Sequence, residues 1–126
     1  MSGIYLYRVS NPDPARPVCF KLGRGNGHRR GASHSRKLLD GWIGEHEQVV
    51  CFDVPGDLEG PLRDRLLAAG HRRVPIRMRA TRGAEREREA RTGRKRMANE
   101  IHSLNGKTFA EVAAFVRGLL AALVRR

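Results

Sequence analysis

Cysteine is scarce in this chain, two residues in 126, and aromatic side chains make up only 6%. Two thiols, Cys19 and Cys51, cannot build the disulfide framework of a small secreted scaffold. Neither belongs to a Cys-x-x-Cys pair, and the five histidines complete no zinc-ligand spacing. Both cysteines sit in strand-like apolar runs, where buried free thiols are expected, and a reducing cytoplasm fits them. The low aromatic content speaks against a single-strand stacking platform, and no RRM aromatic motif is present. No run approaches the roughly 18 uncharged apolar residues of a membrane span. The most apolar stretch, 109–124, is interrupted by Glu111 and Arg117. The opening Met1-Ser2-Gly3-Ile4-Tyr5 lacks a basic segment ahead of an apolar run, so neither a signal peptide nor a membrane anchor is expected.

Negative charge is scarce too. Asp and Glu number 13 against 25 Lys and Arg, a formal charge of +12. Such a surplus on a chain of one-domain size repels itself without a polyanion nearby. Nucleic acid is the first candidate partner, ahead of an anionic membrane surface or an acidic protein. GC-rich coding is the plain alternative, but the charge is localised: residues 71–96 carry ten Arg and one Lys against three Glu.

The apolar pattern predicts an α+β fold, a small antiparallel sheet flanked by helices. Residues 3–9 alternate as a strand, with Tyr5 and Tyr7 on one face and Ile4 and Leu6 on the other. A proline-rich turn leads to a second strand at 18–22, making a hairpin. Gly23-Arg24-Gly25-Asn26-Gly27 is either a flexible connection or a loop that lets a ligand approach the backbone. It is no Walker loop, because no Gly-Lys-Ser/Thr follows. A basic helix is expected from His28 to about Leu39. The third strand is expected at 48–54. A helix follows to Ala69, opened at Asp57 as N-cap or at Gly60 with Pro61 first, and Gly70 ends it. Val74, Ile76 and Met78 suggest a fourth strand that Pro75 confines to an edge. Residues 71–96 read as a basic arm, with an exposed helix or loop over 84–96. Thr108 to Glu111 reads as a capping box opening a helix over 108–125, with Phe109, Val112, Val116, Leu119 and Leu123 as its apolar stripe.

Gly3-Ile4-Tyr5 in the first strand and Lys21-Leu22-Gly23 closing the second resemble the paired motifs of the GIY-YIG nuclease superfamily. The likeness is to its small, meiotically-upregulated-type branch, whose second motif reads Lys-Ile-Gly followed by Arg; here Phe20-Lys21-Leu22-Gly23-Arg24 stands at that place. Arg30, seven residues past Gly23, falls where the family has its helix arginine, and His34 follows one turn later. Glu59 falls after the third strand, at the family's metal-binding glutamate. The match covers residues 3 to about 70, with a looser one at Asn99-Glu100-Ile101-His102. The second tyrosine of the superfamily is replaced by Lys21, and residues 71–96 have no counterpart.

The resemblance implies a DNA endonuclease acting with Mg²⁺ or Mn²⁺, with Tyr5, Lys21, Arg30, His34 and Glu59 as catalytic residues and Glu59 as metal ligand. The chemistry permits these roles. One carboxylate is enough for a Mg²⁺ that keeps most of its water. An arginine fork can hold phosphate oxygens, a place for which Arg29 competes with Arg30. Tyr5 is a candidate base or water-orienting group if Lys21 or a metal lowers its pKa from near 10. Each residue also has a structural alternative: a strand tyrosine for Tyr5, a solvent-facing lysine for Lys21, a helix-dipole partner for Glu59, a surface position for His34. Arg24, Arg29, Arg36, Arg77 and Arg79 are expected to contact nucleic acid. Two other functions fit the same charge: a noncatalytic nucleic-acid-binding module on this fold, and a basic RNA-binding protein.

Overall fold

A computed structural model describes residues 3–125. Its elements run β1 (Ile4–Ser10), β2 (Cys19–Arg24), α1 (Gly27–Ser35), β3 (Ile43–Gly44), β4 (Val50–Phe52), α2 (Glu59–Ala68), β5 (Arg77–Met78), α3 (Gly83–Thr92), β6 (Arg96–Met97), β7 (Ile101–Ser103) and α4 (Phe109–Val124). The fold is α+β, with an antiparallel five-stranded sheet flanked by helices.

β1 is the centre of that sheet. The hairpin with β2 pairs Ile4 with Arg24 and Tyr7 with Lys21. Along its other edge β1 pairs with β4 at one end, Tyr5 opposite Cys51, and with β3 at the other, Val9 opposite Gly44. β7 extends the sheet beyond β2, with Lys21 opposite Ile101.

Strand alternation gives the sheet two faces with different cover. Ile4, Leu6, Phe20, Leu22 and Phe52 point to one face, against Leu62 and Leu66 of α2 and Val112, Val116, Leu120 and Leu123 of α4. Burying a leucine such as Leu62 or Leu66 contributes roughly 1.5–3 kcal/mol each. Tyr5, Tyr7, Val9 and Cys19 point to the other face and meet Trp42, Ile76 and Ile101. Lys21 lies between Phe20 and Leu22, so it shares this second face with the tyrosines.

The capping box of α4 is present, Thr108 and Glu111 bonding to each other's backbone N–H at 3.0 and 3.1 Å. On its stripe Leu120 is buried, whereas Phe109 and Leu119 are only partly so. α2 begins at Glu59 with Leu58 as N-cap, after one 3₁₀ turn at Gly56–Leu58. Pro61 therefore sits in the first helical turn, where its missing N–H would have had no partner. α1 stops at Ser35, earlier than expected.

The fourth strand differs from expectation. Arg72–Val74 runs beside β7, Val74 N–H donating to Ile101 O at 2.8 Å and Ser103 N–H to Arg72 O at 2.7 Å. Pro75 is tolerated because its missing N–H falls on the opposite edge, and Ile76 O still accepts from Ala98 N–H at 2.8 Å. The chain resumes as β5, which pairs with β6 in a separate two-stranded sheet. α3 spans the gap between β5 and β6 and buries none of its residues.

Cys19 is a buried free thiol, but Cys51 is free and exposed. Its neighbours Val50 and Phe52 take the core face, which leaves Cys51 on the opposite face at the sheet edge. Among the described residues no helix is long and apolar enough to cross a membrane.

Candidate active site

The glycine pattern after β2 has a packing reason rather than a flexible or ligand-cradling one. A Cβ on Gly23 would fall 1.9 Å from Cζ of Tyr5, so the bare backbone is what lets the Tyr5 ring lie across the hairpin. Gly25 turns the chain at φ +110°, a conformation that disfavours side chains. Asn26 then caps α1, its Oδ1 accepting from His28 and Arg29 N–H at 3.1 and 3.2 Å. A Cβ on Gly27 would fall 2.7 Å from Cβ of Tyr5, which shows how closely α1 approaches β1.

This close seating brings Arg30 and His34, one helical turn apart, to the polar end of the tyrosine face. Tyr5, Lys21, Arg30, His34 and Glu59 form one electrostatic group. The charges of Arg30 and Glu59 reach Tyr5, those of Glu59 and Arg30 reach Lys21, and those of Lys21 and Arg30 reach His34.

Tyr5 is 1% exposed and stacks on Tyr7, ring centroids 6.1 Å apart. Burial pushes its pKa up to about 12, Arg30 opposing and Glu59 adding to the rise. The expected lowering by Lys21 is absent. Lys21 stands across from Tyr7, not Tyr5, whose partner is Gly23. Tyr5 is thus a phenol at neutral pH with a proton to donate, not a ready base.

Lys21 is buried, which removes the solvent-facing alternative. Its ammonium donates to Asn99 O on the chain segment before β7. Burial pulls its pKa down to about 8, against the pull of Glu59 and Glu100, with Arg30 and Arg96 assisting. Lys21, rather than Tyr5, is the group here that can give up or hold a proton near neutral pH.

His34 is half-buried, and burial lowers its pKa to about 4, helped by Lys21, Lys37, Arg96 and Arg30. At neutral pH it is an uncharged imidazole. Glu59, the first residue of α2, is half-buried and makes no hydrogen bond or ion pair among the described residues. Its carboxylate is free, and it does not cap its own helix.

The basic residues separate into two sets. Arg29, Arg36, Lys37 and Arg79 line an open groove of about 500 Å³ with Ser33 and Thr81, and no carboxylate lines it. It is built from two distant segments stapled together, Arg79 N–H donating to Lys37 O at 2.7 Å and Leu39 N–H to Arg77 O at 3.0 Å. Arg29, Ser33 and Arg36 share one side of α1 at helical spacing, so the helix presents this groove and the Arg30–His34 side at once. Arg24 is exposed at the end of β2 and does not line the groove. Arg77 differs from the groove residues: Asp40 takes both arms of its guanidinium, at 2.8 and 2.6 Å, in an exposed ion pair.

Other residues support this arrangement. Lys37 joins the groove. Glu100, at φ 55°, receives Arg73 at 2.9 Å and lies 3.0 Å from Nε2 of buried His102, which anchors the segment holding Asn99 against β2. Tyr7 shares Tyr5's face by simple alternation, a signal present in the sequence but assigned no role.

Compared with known proteins, the chain matches no family model, no curated protein and no solved structure.

Proposed function

We propose that this chain is a metal-dependent endonuclease that hydrolyses DNA phosphodiester bonds, a member of the GIY-YIG superfamily. What carries the reading is the convergence of Tyr5, Lys21, Arg30 and a free Glu59 at one site beside a groove of unpaired cations. In this reading Arg30 grips two oxygens of the scissile phosphate in one plane, and Arg29, Arg36, Lys37 and Arg79 hold the flanking backbone. Tyr5 donates a hydrogen bond that orients the attacking water. Lys21, partly uncharged near neutral pH, takes a proton from that water as its oxygen bonds phosphorus; the P–O bond to the leaving sugar oxygen breaks, and that oxygen takes a proton from solvent.

Mg²⁺ or Mn²⁺ fits the residues present. Glu59 is an unengaged carboxylate, while no group of three His, Cys, Asp or Glu among the described residues makes a closed cage. One protein carboxylate with the rest of the shell from water and phosphate is the usual habit of Mg²⁺. When bound, such an ion supplies charge stabilisation at the phosphate.

The test is nicking of supercoiled plasmid with Mg²⁺, beside a Glu59→Ala variant. The wild-type protein is expected to cut, and the variant to bind DNA at least as tightly without cutting. The carboxylate-free groove favours one further reading, a noncatalytic nucleic-acid-binding module. Binding of plasmid or RNA by the wild type without any cleavage, in Mg²⁺ or Mn²⁺, would establish that instead.

A further inference from the structure

We propose that Tyr7, Lys21 and His34 share one buried water molecule behind the candidate site, and that Tyr7 acts through it as a positioning residue. The observation is an unanswered hydroxyl. Tyr7 is 0% exposed, its ring lying near Gly31 of α1 and Gly44 of β3, where added Cβ atoms would meet it at 3.4 and 3.0 Å. Its Oη is buried and finds no partner among the described residues. Buried phenolic hydroxyls nearly always have one, on the protein or in an ordered water.

The surroundings provide a place for such a water. Tyr7 lines a narrow cavity of about 20 Å³ together with Lys21, His34, Leu38, Asn99 and Ile101. A water needs about 10–15 Å³ measured this way, so there is room for one. The hydroxyl is the only polar atom the Tyr7 side chain can bring to it. Lys21 stands directly across the hairpin from Tyr7, at the distance where facing side chains of paired strands interact.

The donor and acceptor count also calls for a third party. Tyr7 is kept a phenol by its burial and by the neighbouring Tyr5, so its hydroxyl has a proton to donate. Lys21 donates one N–H to Asn99 O and keeps others to give. His34, uncharged, offers a ring lone pair. A water accepting from Tyr7 and Lys21 and donating to His34 makes three hydrogen bonds, the usual number for a buried water. Arg96 also lines the cavity, but its guanidinium is paired with Glu85 at 3.0 Å. Glu59, Glu100, Arg30 and Lys37 act on the trio only through their charge.

Such a water ties the His34 ring on α1 to the ammonium of Lys21 on β2, and so fixes the tautomer and orientation of that ring. The site stands whether or not the chain cleaves DNA.

The test is a crystal structure of the full chain at a resolution that shows ordered water, together with ¹⁵N chemical shifts of the His34 ring nitrogens. Wild type and Tyr7→Phe are compared. The wild-type crystal is expected to show one water within hydrogen-bond reach of Tyr7 Oη, Lys21 Nζ and a His34 nitrogen. In Tyr7→Phe the water is lost or displaced and the His34 shifts move, while the backbone superposes. A Tyr7 hydroxyl bonded straight to His34 or Lys21 in the wild type, or a site closed without water, overturns the proposal. So does a folded Tyr7→Phe protein with unchanged His34 shifts. If Tyr7→Phe does not fold, the wild-type crystal decides alone.

Discussion

Replacing Lys21 by methionine should change stability in a pH-dependent way, because a lysine on the inside of a sheet carries an electrostatic cost that vanishes when it loses its proton. In the unfolded chain Lys21 titrates near 10.5, and in the folded protein near 8. That gap corresponds to a cost of about 3 kcal/mol wherever both states are protonated. The sign follows from proton counting. Between pH 8 and 10.5 the unfolded chain holds a proton that the folded protein has released, so rising pH stabilises the folded state across that window. Below pH 8 the full cost applies, and above 10.5 it is gone. Cys19, raised from 9.0 to about 11, and Tyr5, raised to about 12, act in the opposite direction at the alkaline end, since their unfolded forms ionise first. Comparing wild type with Lys21→Met at each pH cancels them. Methionine also leaves Asn99 O without its donor, a loss that does not vary with pH. The slope of the difference, not its size at one pH, is therefore the readout. Urea unfolding of both proteins at intervals from neutral to pH 10 measures it. The variant's advantage should shrink as pH rises, by about 1.4 kcal/mol per pH unit at the steepest. A difference that stays flat would mean Lys21 keeps ordinary lysine behaviour, and its part in the proposed reaction would fall with it.

Gly23→Ala should cost about 1–3 kcal/mol of overpacking, and so lower the melting temperature, because its Cβ overlaps Cζ of Tyr5; an unchanged melting curve would show that the ring is free to move. Arg30→Lys should cut the cleavage rate severely at unchanged stability, since an ammonium cannot grip two phosphate oxygens in plane; near-normal turnover would show that charge alone matters there. Arg36→Gln combined with Arg79→Gln should flatten the slope of log affinity against log salt by roughly 2, at about 0.9 per phosphate contact. Arg77→Gln, whose parent side chain is already paired with Asp40, should leave that slope unchanged; equal effects from both variants would refute the division of the arginines into free and paired.

The hairpin of β1 and β2, α2 and α4 were legible because each carries its own local signal: two-residue alternation, a leucine stripe, a reciprocal cap. The grouping of Tyr5, Lys21, Arg30 and Glu59 came from the resemblance, not from a local signal of this kind; in the structure their charges act on one another. β7 was not legible. It is three residues long and is held as a strand by pairing with β2, a contact some 80 residues away in sequence that no local pattern announces. The burial of Lys21 was hidden for the same reason, because the cover comes from the returning segment around Asn99. Arg77 and Asp40 are also remote in sequence, 37 residues apart, so the arginine looked as free as Arg79. The alternation of Val74, Ile76 and Met78 was real, and Ile76 and Met78 are buried, but the partner along that stretch is the remote returning segment 96–103.

The way β5 and β6 frame α3 makes that helix a detachable cassette. Met78 and Arg96 face each other across the small sheet, so the chain leaves and re-enters the body of the protein at nearly the same point. A tight two-residue turn could join those strands directly, and the loop-closure entropy would fall slightly rather than rise. α3 contributes no buried side chain, and its Glu85 holds Arg96 beside the cavity of Tyr7 and Lys21. What would leave is a dense block of arginine, together with the carboxylates of Glu85 and Glu89 that pair with Arg96 and Lys95. The folded body and much of its positive charge are thus encoded in separable stretches of one short chain, with Arg79 and Thr81 at the seam, where they line the groove beside α1.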